Sequence, residues 1–209
     1  MSYQSLVRDR LAAAASGTSV ESLLLRLENL PGLPELAPGF DVCRDQQLNE
    51  VISILNPETM FDCVHNLQAA HALKSGLLLW NDDLEASHTI SQQLHDDTGS
   101  YWHGIMHRRE PDHSNAKYWF HRFDEHIVFQ PLREAAIGIA RALKLEQIET
   151  AVSSSIEWNP ARFIDCCAQA NRDSALDAYT RQVQLEEIRL LTEYCLLKAL
   201  GRPLPYPEG

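Results

Sequence analysis

Along the chain, hydrophobic positions recur at steps of three and four, and nowhere do they alternate over a strand's length. From about residue 66 to 94, Leu73, Leu77, Trp80, Leu84 and His88 fall on one face of a single long helix, so its inward stripe ends on a histidine. From Asp173 to Leu200, Leu176, Val183, Leu190 and Leu197 stand at seven-residue steps, and Gly201 with Pro203 supplies a stop. That segment is expected to pack along its whole length against other helices.

Punctuation divides the rest. Thr18 and Glu21 have the spacing of a capping box ahead of SLLLRLENL. The run PGLPELAPG at residues 31–39 breaks the chain into a loop, read as a crossover because the segment before it is too short to be a domain. Asn56 with Pro57, and Asn159 with Pro160, each place an N-cap before a proline at the first helical position, and so predict two helix starts. HIVFQPLREAAIGIARAL predicts a helix started or interrupted near Pro131. The expected architecture is all-α: a single-domain bundle over residues 1–209 with about seven to nine helices.

Composition narrows the class of protein. At 209 residues the chain can bury a sizeable core without disulfide or metal staples, and 44% hydrophobic with 22% charged residues is ordinary for a soluble globular protein. The formal net charge of −11 repels a phosphate backbone, so no nucleic acid is expected as a partner. No apolar run approaches the roughly 20 residues that span a bilayer, and Arg8, Asp9 and Arg10 stand close to the N-terminus with no signal-peptide apolar stretch beside them. Five cysteines, with Cys166 and Cys167 adjacent and no C-x-x-C spacing, suit reduced thiols in a cytoplasmic protein.

Candidate chemistry is concentrated in one window. Seven of the nine His and three of the four Trp fall between Trp80 and His126. Ser100 is placed to cap a helix that reaches about Glu110, where Pro111 stops it. Trp102, Ile105 and Met106 form its core side, and His103, His107 and Glu110 stack on a flank about 100° away, where they can line a crevice. Two His four residues apart on a helix can chelate one metal ion, with Glu110 as a third ligand or a general base. H-E-x-x-H itself is absent. Glu85 and His88 add an E-x-x-H pair, half the ligand set of di-iron carboxylate bundles, but the matching Glu110 and His113 are separated by Pro111. The metal reading therefore uses His88, His103 and His107 with a carboxylate from Glu85 or Glu110, and a divalent transition metal as cofactor. In an enzyme, His103, His107, Glu85 and Glu110 would be the catalytic groups.

A second reading gives the same window to a small anion held by Arg108, Arg109, Lys117 and the ring nitrogens, with Asn115 and Lys117 at the rim, Asp83 at the end of the preceding helix, and Trp102, Tyr118 and Trp119 as walls. Arg108 and Arg109 point about 100° apart on a helix, which opposes their sharing one ligand. A third treats the Trp, Tyr and Arg residues as a contact surface for another protein. The plain structural account makes the Arg pair a solvated face and His88 a hydrogen-bonded core residue. Glu186 and Glu187 interrupt the apolar face of the last helix, so they either pair with Arg or His from the central window or sit at the rim. No G-x-S-x-G, G-x-G-x-x-G or Walker loop occurs.

The run LLLWNDDLEASHTISQ followed by GSYWHGIMHRREPDHSNAKYWFHR resembles a family of uncharacterised bacterial and fungal proteins with a W-H-G/A-I-M-H-R-R-E-x-D-x-x-N-A/S-K-Y-W block. The resemblance covers about residues 77–122 and brings no established activity with it. The chain departs from that pattern at His121 and Phe123, where the family more often continues with Arg and Val.

Overall fold

The computed structural model describes residues 3–39, 42–170 and 172–206. Among them are eleven α-helices and no strand, more helices than the punctuation predicts. They are α1 (Tyr3–Ala15), α2 (Glu21–Glu28), α3 (Gln46–Ile54), α4 (Leu67–Trp80), α5 (Leu84–Ser91), α6 (Asp97–Arg109), α7 (His113–Phe120), α8 (Phe129–Ala142), α9 (Glu146–Ser153), α10 (Pro160–Ala170) and α11 (Ser174–Ala199). The last helix matches its predicted span, and Val183 and Leu190 on its seven-residue stripe are fully buried. It packs on α1, α4, α8 and α10, which makes it the axis of the bundle.

The predicted long helix over 66–94 is two helices. Asn81, Asp82 and Asp83 break it, and Asp82 takes the left-handed conformation at φ 69°. Asp and Asn tolerate that region better than other residues with a Cβ. The Asn81 amide oxygen accepts from Asp45 N at 3.1 Å while its NH2 donates to Asp45 O, and the Asp83 carboxylate caps α5 by accepting from Ala86 N. The break re-aims His88, which a continuous helix would have carried along the axis of α4.

Four further expectations are corrected or refined. Asp96, not Ser100, caps α6 by accepting from Gly99 N, and Ser100 lies buried inside the helix. Asn56 and Pro57 open a turn and no helix, although the Asn56 side chain accepts from Glu58 N as an N-cap would. Thr18 donates to Ala15 O at the end of α1 instead of capping α2, and Glu21 reaches back to Gly17 N. Pro131 falls in the first turn of α8, which starts at Phe129. Asn159 does cap α10, accepting from Arg162 N at 2.9 Å.

The 31–39 segment is a loop, tied down by backbone carbonyls. Arg181 donates to Leu33 O and Pro34 O, and Glu35 O accepts from both Arg109 and Gln184. The buried hydrophobic residues form one continuous cluster reaching from Val7 to Tyr206. At its centre every residue of α6 from Thr98 to Arg109 is buried, enclosed by α4, α5 and α7. Trp102 reaches α4 at Gly76, where a Cβ would come within 2.4 Å of the indole. A helix buried all round must satisfy its own polar side chains inside the protein, and α6 carries two His and two Arg.

Candidate metal centre

Three rings meet where α5, α6 and α7 pack together. His88 from α5 lies edge-on to His103 and His107 of α6, with ring centres 4.6 and 5.3 Å away, and His103 and His107 are 4.7 Å apart. One nitrogen from each ring lies within 4.8 Å of the others. The i, i+4 spacing puts His103 and His107 on one flank of α6, and the break after Trp80 brings His88 across to them. His103 and His107 are buried and His88 half-buried.

The environment keeps the rings of α6 neutral. Burial, then the neighbouring His107, His88 and Arg122, pushes His103 down to about 3. Burial also lowers His107, against the pull of Glu110. Neutral imidazole is the form that binds a metal. The Glu110 carboxylate lies 3.1 Å from His107 Nδ1, and the Asn115 amide lies 3.0 Å from His107 Nε2. With Nδ1–H donated to Glu110, Nε2 carries the lone pair that Asn115 now meets. Nδ1 of His103 is buried without a hydrogen-bond partner among the described residues. Over it lies Trp119 of α7, stacked at 3.8 Å between ring centres.

The remaining predicted site residues are elsewhere. Glu85 is exposed and, with Asp83 and Glu110, lines an acidic cleft of about 240 Å3 outside the histidine cluster. No carboxylate belongs to the three-histidine group, so the di-iron pattern suggested by Glu85 and His88 is not assembled among the described residues. Asp83 is spent on capping α5 and on Asn49. Lys117 pairs with Asp165 of α10 at 2.6 Å, and Tyr118 is exposed beside Arg122. Trp102 is a fully buried core residue.

Arg108 and Arg109 are neither a solvated face nor a shared anion clamp. Arg108 is buried against Glu187 of α11 at 2.5 Å and lies over the Phe163 ring. Arg109 is buried against Asp82 at 2.5 Å and donates to Leu79 O and Glu35 O. Their anions come from within the chain, in two directions, as the 100° offset requires. Glu186 is equally buried and pairs with Arg189, so neither carboxylate sits at the rim. The partner missed by sequence reasoning is Asp82, and its signal was the NDD run, a turn-forming sequence set inside an apolar helix pattern.

No protein-family model matches the chain, nor does any curated protein or solved structure.

Proposed function

We propose that the protein binds a divalent transition metal, zinc foremost, through His88, His103 and His107, and that the centre is of the open, water-activating kind. The observation that carries this reading is the convergence of three ring nitrogens within 4.8 Å of one another from two separate helices. Bonds of 2.0–2.1 Å in tetrahedral geometry separate donor atoms by roughly 3.4 Å, so modest side-chain rotation closes the set. Three imidazoles leave a fourth position for water, whose pKa a zinc ion lowers to about 7. Glu110 would hold His107 in the tautomer that presents Nε2, and Asn115 would turn from that nitrogen toward the metal-bound ligand. The anion reading has lost its two principal donors to Glu187 and Asp82. His88, His103, His107, Glu110 and Asn115 all lie within the block of residues 77–122, so the proposal extends to the family that the block resembles.

Elemental analysis of the purified, untagged protein tests it, followed by titration of the metal-stripped protein with Co2+. Near-stoichiometric metal and the visible absorption of tetrahedral cobalt are expected, both lost in His103→Ala/His107→Ala with helicity retained. Metal that survives the double change, or a protein that takes up neither zinc nor cobalt, overturns it.

A further inference from the structure

A second hollow, sharing no residue with the histidine cluster, lies between α9, α10 and α11. Its volume is about 440 Å3, within the range of small-molecule sites. Ile148 and Val152 of α9 face it, one turn apart, across from Phe163 of α10 and Tyr179 of α11. The helix α9 contains no fully buried residue, although Ile148 and Val152 pack against the edge of the core. Its apolar face therefore looks into a cavity where a helix of this kind would otherwise meet protein.

Two of the polar groups at this hollow are donors that meet no side-chain acceptor among the described residues. Trp158, which lines it and is buried, has an indole N–H with no acceptor among the described residues. Indole can only donate. Arg162 is exposed at the mouth and pairs with no carboxylate among the described residues. Of the two carboxylates in the lining, Asp165 is already offset by Lys117 at 2.6 Å, and Glu157 is exposed at the rim. Cys166 also borders the cavity, but burial and Asp165 hold its thiol above the usual range, so the contact it offers is apolar and not nucleophilic.

We propose that this hollow binds a small apolar carboxylic acid, the chain or ring lying against Ile148, Val152 and Phe163 and the carboxylate meeting Arg162. The guanidinium fork matches a carboxylate in two-point contact, and the cavity supplies the apolar burial that an acid of medium chain length needs. The site is independent of the metal centre and is tested with the metal-stripped full-length protein.

Octanoate is the probe and 1-octanol its uncharged match, each titrated calorimetrically. Octanoate is expected to bind at one site, with the alcohol roughly tenfold weaker. Arg162→Gln should bring the acid down to the level of the alcohol. Ala151→Trp, which places a ring into the cavity from the exposed side of α9, should abolish both. Absence of octanoate binding, equal binding of acid and alcohol, or binding unchanged by Ala151→Trp overturns the proposal. Should Ala151→Trp fail to fold, the acid-to-alcohol ratio in Arg162→Gln decides the matter by itself.

Discussion

The indole of Trp119 lies on the imidazole of His103, ring centres 3.8 Å apart and planes 16° from parallel. The stack makes α7 a roof over the histidines and places a fluorophore in van der Waals contact with one of them. Paramagnetic Cu2+ bound at His88, His103 and His107 should therefore quench Trp119 strongly. Trp119→Leu is expected to remove most of the metal-dependent quenching while leaving the emission of the other three Trp in place. Equal quenching in the variant would put the ion elsewhere.

Glu110 touches His107 and no other member of the cluster. Partners that fix a ligand's tautomer are typically worth 10- to 100-fold in metal affinity, so Glu110→Ala should weaken zinc binding by about that factor. Glu110→Gln, which can still accept from Nδ1–H, should recover part of it. Competition with a chromophoric chelator gives both constants.

Arg108 and Glu187 form an ion pair from which solvent is excluded on both sides. Removing one partner strands a buried charge, and Arg108→Met should cost about 3–5 kcal/mol in urea unfolding. Arg108→Met with Glu187→Leu should regain most of that loss, because an apolar pair of similar volume needs no compensating charge.

Gly104 and Gly76 are among the glycines required by close approach. A Cβ at Gly104 would lie 2.7 Å from the Phe120 ring, and one at Gly76 would lie 2.4 Å from Trp102. Either Gly→Ala change should destabilise by about 1–3 kcal/mol through overpacking. Gly138, exposed on α8 with nothing within 4 Å, is the control: Gly138→Ala should stabilise by up to about 1 kcal/mol through helix propensity. Thermal melts of the three variants separate the two effects.

Burial lowers His126 to about 4. The unfolded chain binds this proton near pH 6.5 and the folded chain only near 4. The stability it contributes is therefore complete above about pH 6.5 and drains away as the pH falls toward 4, at up to about 1.4 kcal/mol per pH unit. Glu186, raised to about 7 chiefly by burial, acts in the opposite sense: its folded form holds a proton that the unfolded form releases, so stability falls as pH rises toward 7. Comparing His126→Gln with the parent protein cancels the Glu186 contribution. The stability of the parent minus that of the variant should therefore rise with pH between 4 and 6.5 with the slope of about one proton. Parallel curves would show that His126 does not titrate as its burial implies.

Legible in the sequence were the helical class, the span of α11, the loop at 31–39 and the window that holds the candidate site. These follow from local physics: three- and four-residue periodicity, caps and prolines act within a few residues of one another. The sequence also determined that His103 and His107 share a flank of α6, because that is a property of one helix. What surrounds each polar side chain was decided by tertiary structure alone. The two arginines of HRRE looked solvated or ligand-binding because nothing local showed that α6 is enclosed on every side, and that Glu187 and Asp82, far away or across a turn, stand ready to neutralise them. In the sequence pattern His88 ends a helical stripe, and only the left-handed turn at Asp82 carries its ring across to the other two. Charge and metal-binding geometry depend on which distant groups come within a few ångströms, and that is settled by how the helices pack.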